Sequence, residues 1–263
     1  MTDKPVLFFI HGYAVGNWYF DQFKAFFEQQ GYTCYAPTLP LHDVPPNKKE
    51  AAVAKLGLKD YIDHLEKEIL KVDTTPVLIG HSLGGLLVQH LANRGLARDL
   101  VLLQPAAPRD ISMVTLSQVH HHFGPIVNAL VRQPFKYSYA AARHLFFNNM
   151  SAQAGLDLYD KTVYESGKVM FELLTHQQPA IDPNNIKGKV LAIAGSEDRG
   201  CTPKIVKKIA LKYGDKSTYK EFSKRGHEIV IEEGWEEVAE YISQWLNSNI
   251  IGSTQQDSHV QAS

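Results

Sequence analysis

A serine stands between two glycines at a point where the sequence predicts that a strand turns into a helix. The segment reads Val77-Leu78-Ile79-Gly80-His81-Ser82-Leu83-Gly84-Gly85-Leu86, with an apolar run before the serine and a helical pattern after it. A sharp turn of this kind strains the backbone of its central residue, and the positions two residues away must lack a Cβ atom. The spacing therefore predicts that Ser82 is a nucleophile exposed at the carboxyl edge of a sheet.

Two later loops carry the groups that a serine nucleophile needs, a histidine base and a carboxylate that orients it. His227 follows the last predicted strand, and Asp198 follows the strand before it. Loops after parallel strands meet at one edge of a sheet, where Ser82 is also expected. We predict Asp198 as the acid, with Glu197 as the alternative, and His227 as the base, so that the chain order is Ser, Asp, His.

A substrate oxyanion would need N–H donors near Ser82. We expect one from the backbone of Leu83, the residue after the nucleophile. The other is expected from the backbone of Tyr13, in the loop after the first predicted strand, where Gly12 permits a close approach. His11 ends that strand, and we interpret it as a brace for the loop rather than as the catalytic base.

The remaining histidines have structural interpretations. His81 occupies the variable position of the Ser82 turn and is expected to point away from the serine side chain. His120-His121-His122 suggests a metal site, but adjacent residues do not share a helix face and no carboxylate lies at a supporting spacing. We therefore predict no metal and no cofactor, and we interpret the three histidines as a solvated turn or as a lining of the entrance to the site.

The elements that must hold these residues alternate between short apolar strands and amphipathic helices, which is typical of a parallel sheet covered by helices. The sequence therefore predicts an α/β fold with a doubly wound, mostly parallel sheet of about six strands. The predicted strands are Val6–Ile10, Tyr32–Ala36, Pro76–Gly80, Leu100–Leu103, Lys189–Ala194 and Ser217–Phe222. The predicted helices are Trp18–Gln30, Lys55–Val72, Ser82–Asn93, Lys204–Tyr213 and Trp235–Asn247.

This alternation breaks between Pro105 and Pro183, in a stretch that is helical in pattern and rich in aromatic residues. The sheet resumes afterwards, so the stretch is interpreted as an insertion into one domain. We assign residues 1–105 and 184–250 to the core and residues 106–183 to a helical cap. Residues 251–263 are polar and are predicted to form a disordered tail.

The composition excludes several classes of protein. The chain of 263 residues is 44% hydrophobic and 21% charged, with a net charge of -1, so it lacks the basic surface that nucleic acid or an anionic membrane favours. No stretch approaches the roughly twenty apolar residues of a spanning helix, and the apolar run at Val6–Ile10 is too short for a signal peptide. Cys34 and Cys201 are interpreted as free thiols. We expect a cytoplasmic protein, a monomer or homodimer, that binds a small-molecule substrate.

Taken together, these motifs resemble those of the α/β-hydrolase superfamily over nearly the whole chain. The resemblance implies acyl-transfer chemistry without a cofactor and a cap inserted after the strand that ends near Leu103. The chain starts at the His-Gly strand, in which it is similar to short bacterial esterases and lipases and to plant esterases of this length. It departs from the common Asp-x-x-Gly-x-Gly pattern after the second strand. The motifs that carry the resemblance are His11-Gly12, Gly80-His81-Ser82-Leu83-Gly84-Gly85, Gly195-x-x-Asp198 and Gly226-His227.

The expected reaction is hydrolysis of a carboxylic ester through an acyl-enzyme, and the aromatic-rich cap predicts an apolar acyl or aryl group. The same triad would serve a thioesterase, a lactonase or a hydrolase of carbon–carbon bonds, and the motifs do not separate these. Serine at position 82 disfavours dehalogenases and epoxide hydrolases, which resemble this fold but carry aspartate there. A non-catalytic receptor on the same fold would have no need of all three residues.

Overall fold

A single parallel sheet forms the centre of the molecule. The computed structural model describes residues 4–46, 48, 51–113, 127 and 130–260, and these hold six strands in the order β2-β1-β3-β4-β5-β6, all paired in parallel. The predicted α/β fold is confirmed, and each strand begins and ends within two residues of its prediction. The strands are β1 Leu7–Ile10, β2 Cys34–Tyr35, β3 Val77–His81, β4 Leu100–Leu103, β5 Val190–Gly195 and β6 Ser217–Phe222.

Helices cover the sheet on both faces, because successive side chains of each strand point to opposite sides. On one face α2, α3 and α7 pack against strand residues such as Phe8 and Leu78. On the other face α1 and α8 pack against residues such as Phe9 and Ile79. The helices are α1 Asp21–Gln29, α2 Leu58–Ile69, α3 Leu83–Asn93, α4 Tyr139–Leu145, α5 Ala152–Lys161, α6 Gly167–Leu174, α7 Pro203–Lys212 and α8 Trp235–Val260.

Three predicted helices have wrong boundaries. The helix expected over Trp18–Gln30 is divided into a 3-10 turn, Asn17–Phe20, and α1. The helix expected over Lys55–Val72 runs only from Leu58 to Ile69. It begins there because Gly57 is extended and its N–H donates to the Asp60 carboxylate at 2.7 Å, which closes a helix cap. The last helix continues past Asn247 to Val260, over most of the segment that is predicted to be a tail, and residues 261–263 lie outside the described residues.

The stretch between β4 and β5 has a hydrophobic cluster of its own. The helices α4, α5 and α6 lie in the predicted cap, 106–183, and their cluster packs against Tyr13 and Trp18 of the core. An isolated antiparallel bridge joins Phe135 to Glu165. This stretch therefore covers the loop after β1 and the carboxyl edge of the sheet. Within the described ranges no helix is long and apolar enough to cross a membrane.

Candidate active site

Ser82 lies in the turn between β3 and α3, with φ 52° and ψ −118°. Residues other than glycine seldom adopt this conformation, so neighbouring groups must hold it in place. The N–H of Ser82 donates to the carbonyl of Leu103 at 3.0 Å, and its carbonyl accepts from the N–H of Ala106 at 2.8 Å. The end of β4 thus fixes the strained turn from both sides of the serine.

The glycines around Ser82 are required by close packing. A Cβ atom on Gly84 would overlap the carbonyl of Ile10, and one on Gly80 would overlap the backbone of Gly84. A Cβ atom on Gly85 would lie 2.7 Å from the Cβ of Pro105. As the sequence predicted, these positions must lack a Cβ atom for the turn to pack against its neighbours.

The structure brings His227 and Asp198 together beside this turn. Nδ1 of His227 lies 2.9 Å from Oδ2 of Asp198, and both side chains are buried. The other carboxylate oxygen accepts from the backbone N–H groups of Gly200 at 2.7 Å and Cys201 at 2.9 Å. Because Asp198 can only accept when ionised, Nδ1 of His227 carries the proton and Nε2 is left as an acceptor. Glu197, the alternative acid, has an exposed side chain and does not make this contact.

The environment of His227 favours its charged form. Burial alone would lower its pKa, but the Asp198 carboxylate outweighs burial, and the pKa lies above the ordinary value of 6.5. An imidazolium formed at this position is therefore stabilised, which is what a base that takes a proton during a reaction requires.

His81 holds the loop that carries His227. Its Nε2 donates to the backbone carbonyl of His227 at 2.8 Å, and its ring stacks on that of Tyr19 with centroids 4.9 Å apart. Burial lowers the pKa of His81 well below 6.5, so the ring is neutral. Gln104 also donates to this loop, at the carbonyl of Gly226. Neither contact could be inferred from the sequence, because both partners lie far away along the chain.

The loop after β1 approaches Ser82 closely. A Cβ atom on Gly12 would lie only 3.0 Å from the Cβ of Ser82. His11 braces this loop, since its Nε2 accepts from the N–H of Leu39 at 3.0 Å and its Nδ1 lies 2.9 Å from the carbonyl of Gly12. Burial lowers the pKa of His11 to about 3, so the ring is neutral and Nδ1 donates. Tyr13 follows, next to Ser82 in the lining of two cavities.

A buried carboxylate, which the sequence did not reveal, anchors the same loop. Glu165 accepts hydrogen bonds from Nε2 of His42 at 2.9 Å, the Tyr61 hydroxyl at 2.6 Å and the Ser166 N–H at 2.7 Å. It also accepts from the N–H of Ala14 at 3.4 Å. Ala14 has φ 57°, so the residue after Tyr13 is held in a strained conformation against Glu165.

His42 and Glu165 form an ion pair. Burial would lower the pKa of His42, but the Glu165 carboxylate raises it above the ordinary value. Burial would raise the pKa of Glu165, but His42 and then the Tyr61 hydroxyl lower it. Each group therefore favours the charged form of the other, and the pair joins the loop after β2 to the stretch between β4 and β5.

Two cavities meet at Ser82. The large cavity has a volume of about 320 Å³ and a mostly apolar lining, which includes Leu83, Ile111, Met113, Met170, Leu173 and Cys201. The small cavity has a volume of about 70 Å³ and is lined by His227, Glu228, Tyr19, Lys136, Thr162 and Tyr159, among others. Ser82, Tyr13, Tyr137 and Phe146 line both cavities.

Glu228, directly after His227, was not predicted as a site residue. It is buried, and one of its carboxylate oxygens accepts from the Tyr19 hydroxyl at 2.8 Å. Burial raises its pKa to about 7. In the part of the chain that the structure describes, no three His, Cys, Asp or Glu side chains are placed to hold a metal ion. His120, His121 and His122 lie outside the described residues.

Comparisons with known proteins agree with this architecture. A family model described as "Alpha/beta hydrolase family" matches residues 7–241. No curated protein sequence matches the chain significantly. Among solved structures, a monoacylglycerol lipase from Paleococcus ferrophilus has a TM-score of 0.72 at 20% identity, covering 93% of this chain and 96% of that one.

Two further structures are similar over most of their length. MenH from S. aureus has a TM-score of 0.70 at 21% identity, covering 94% of this chain and 95% of that one. A pyrethroid hydrolase from Sphingobium faniae JZ-2 has a TM-score of 0.67 at 16% identity, covering 93% and 98%. At these identities the similar structures show a shared fold. The family model spans most of the chain, and the protein is a member of the alpha/beta hydrolase family.

Proposed function

We propose that the protein is a serine hydrolase that cleaves a carboxylic ester with an apolar acyl group through an acyl-enzyme at Ser82. The observation that carries the proposal is that Ser82, in its strained turn, and His227, which is paired with Asp198, line one cavity. A nucleophile, a base with an unprotonated nitrogen and an acid that orients the base are the parts that acyl transfer to a serine needs.

In the first half of the reaction, Nε2 of His227 takes the proton of the Ser82 hydroxyl while Oγ attacks the ester carbonyl. Asp198 holds Nδ1–H and stabilises the imidazolium. The backbone N–H groups of Leu83 and Tyr13 bind the carbonyl oxygen as it becomes negative, and one such donor contributes about 10²–10³ in rate. His227 then gives its proton to the alcohol oxygen, and the bond between that oxygen and the acyl carbon breaks.

In the second half, water replaces the alcohol. His227 removes a proton from the water as its oxygen attacks the acyl carbon. The bond to Ser82 breaks, the serine recovers its proton from His227, and the carboxylic acid leaves. No redox change occurs in either half, so the three side chains, the two backbone N–H groups and water supply every group that the reaction uses.

The lining of the large cavity supports an apolar acyl group. Its wall is mostly apolar and includes six leucine, isoleucine and methionine side chains, and such a surface binds alkyl or aryl groups by excluding water. The monoacylglycerol lipase among the similar structures is consistent with an ester substrate. Thioesters, lactones and carbon–carbon bonds flanked by carbonyls are the alternatives, since the same three residues would attack them.

The test uses a fluorophosphonate probe and a panel of substrates. We expect the probe to label Ser82, and Ser82→Ala to keep less than about a thousandth of the wild-type activity. Ser217→Ala is the matched control, because the buried Ser217 hydroxyl has no hydrogen-bond partner among the described residues. Aryl esters of increasing acyl length, a thioester and a β-diketone then identify the reaction. If the probe does not react and no substrate is cleaved, the chain is a non-catalytic binding protein.

A further inference from the structure

The two cavities that meet at Ser82 differ in which reacting groups they contain. His227 lines the small cavity, whereas Leu83 and Cys201 line the large one. The base must reach the oxygen of the leaving alcohol to protonate it. If the proposed function holds, on which this inference rests, the alcohol part of the ester therefore lies in the small cavity and the acyl part lies in the large one.

The volumes restrict the two halves of the substrate unequally. The small cavity measures about 70 Å³ and the large one about 320 Å³. A cavity of the smaller size has room for a group of a few non-hydrogen atoms, since one water needs on the order of 10–15 Å³. The geometry thus favours a short alcohol joined to a much longer acyl chain.

The small cavity has a mostly apolar lining, but two charged side chains stand in it that a simple alkyl alcohol would not use. Glu228 is buried in its wall, with one carboxylate oxygen bound by the Tyr19 hydroxyl at 2.8 Å. Lys136 lies in the same lining, with its Nζ 2.9 Å from the carbonyl of Thr162. Burying a carboxyl group is costly unless it is hydrogen-bonded, so a ligand that bonds to Glu228 would be favoured over one that does not.

The two charges give an ionic group no clear advantage. A cationic alcohol would be attracted by Glu228 when it is ionised but repelled by the Lys136 ammonium, and an anionic one would meet the reverse. A neutral hydroxyl group avoids both penalties, because it can donate to a carboxylate and accept from a carboxylic acid or an ammonium. Burial raises the pKa of Glu228 to about 7, so both forms of the carboxyl are present near neutral pH, and each can bond to a hydroxyl.

We propose that Glu228 and Lys136 form a subsite for a short alcohol leaving group that carries at least one further hydroxyl group, as a glyceryl ester does. A neutral hydroxyl bound to Glu228 would hold the leaving oxygen next to His227, the preceding residue in the chain. Glu228 is a specificity-determining residue in this proposal, and the chemistry itself remains with Ser82 and His227.

The test compares two octanoate esters that differ only in the alcohol, 2,3-dihydroxypropyl and n-propyl. We expect the wild-type protein to favour the dihydroxypropyl ester in kcat/KM by about tenfold or more, the size of one hydrogen bond to a charged group. In Glu228→Leu this ratio falls to about one, whereas Glu228→Gln, which keeps the hydrogen-bonding groups, retains most of the preference. The ratio is informative because general damage to folding or catalysis lowers both rates together.

Glu232→Gln is the matched control. Glu232 is a second carboxylate near His227 and accepts from the N–H of Gly226 at 3.0 Å, but it does not line the small cavity. The preference should therefore survive in this variant even where the rates change. Loss of the preference in Glu232→Gln as well as in Glu228→Leu would overturn the assignment to Glu228.

A second measurement needs no variant. The acyl-enzyme formed from an octanoyl aryl ester can pass its acyl group to an added alcohol instead of water, and that alcohol attacks from the leaving-group side. We expect glycerol to capture the acyl group several times more efficiently than 1-propanol does at equal concentration. Equal capture, together with equal kcat/KM for the two octanoates, would overturn the subsite. Labelling of Ser82 by the fluorophosphonate would then still support the proposed function, whereas absence of labelling would overturn both.

Discussion

The protein contains two buried pairs of a histidine and a carboxylate with the same separation and different surroundings. His227 and Asp198 lie 2.9 Å apart, as do His42 and Glu165. Each carboxylate raises the pKa of its histidine against the effect of burial. The first pair follows two strands at the carboxyl edge of the sheet, and the second joins the loop after β2 to the stretch between β4 and β5.

What separates the pairs is the second nitrogen of each histidine. Nδ1 of His42 lies 3.0 Å from the carbonyl of Pro40 while Nε2 bonds to Glu165, so both nitrogens are occupied. His227 has one side-chain hydrogen bond in the described ranges, to Asp198, and its ring lines the small cavity. A histidine whose nitrogens are both bound to protein can hold segments together, and one with a nitrogen facing a cavity can exchange a proton.

The largest effect should come from Asp198→Asn. The asparagine amide can donate to Nδ1 of His227, which leaves the proton on Nε2 and the base in the wrong tautomer, so kcat should fall by about 10⁴. Circular dichroism and the urea midpoint should change little, because the backbone N–H groups of Gly200 and Cys201 still have an oxygen to bind. A variant that keeps a tenth of the wild-type kcat would contradict the role of Asp198.

Glu165→Gln should act mainly on stability. It removes the carboxylate that raises the pKa of the buried His42, and removing one partner of a buried pair lowers the free energy of unfolding by about 3–5 kcal/mol. The kcat of the folded protein should fall by much less than in Asp198→Asn, through a looser loop at Ala14 and Tyr13. Urea unfolding followed by fluorescence measures the loss of stability. Titration of active sites before each assay corrects kcat for the fraction of the protein that is not folded. If Glu165→Gln were as inactive as Asp198→Asn when fully folded, the two pairs would not differ as we describe.

The smallest effects should be seen in the pH dependence. As the pH rises, the stability that His42 contributes should fall, and the activity that depends on His227 should increase. The raised pKa of His42 contributes stability that is complete below the unfolded value of 6.5 and is lost as the pH rises through the folded value. His227 must be neutral to accept a proton, so kcat/KM should rise as the pH passes its own raised pKa, above 6.5. At alkaline pH the protein should therefore be more active and somewhat less stable.

Urea titrations and kcat/KM between pH 6 and 9 check this prediction. The difference in unfolding free energy between the wild-type protein and His42→Gln isolates the His42 contribution, and it should shrink across that range. A difference that stays constant would mean that His42 has the same pKa in the folded and in the unfolded protein.

The strands and the three proposed triad residues could be predicted because their signals are local. Glycine spacing identified the Ser82 turn, and apolar runs identified the strands whose ends carry Asp198 and His227. The His42–Glu165 pair could not be predicted, because its two members are 123 residues apart and no spacing links them. Glu228 gave no signal either, since its significance comes from burial next to Tyr19. The helix cap at Gly57 and the continuation of the last helix past Asn247 were missed, because helix ends depend on side-chain bonds and packing.

The direct pairing of β4 with β5 has a consequence for how this chain can vary. Leu100 pairs with Val190, so residues 104–189 connect two adjacent strands. Loop-closure entropy grows only with the logarithm of length, so closing a connection of this length costs about 2 kcal/mol more in free energy than closing a crossover of a dozen residues. Insertions or deletions here change the walls of both cavities while the register of the central sheet is kept. The molecule can thus acquire a different substrate range at a small thermodynamic cost, by lengthening or shortening a single connection.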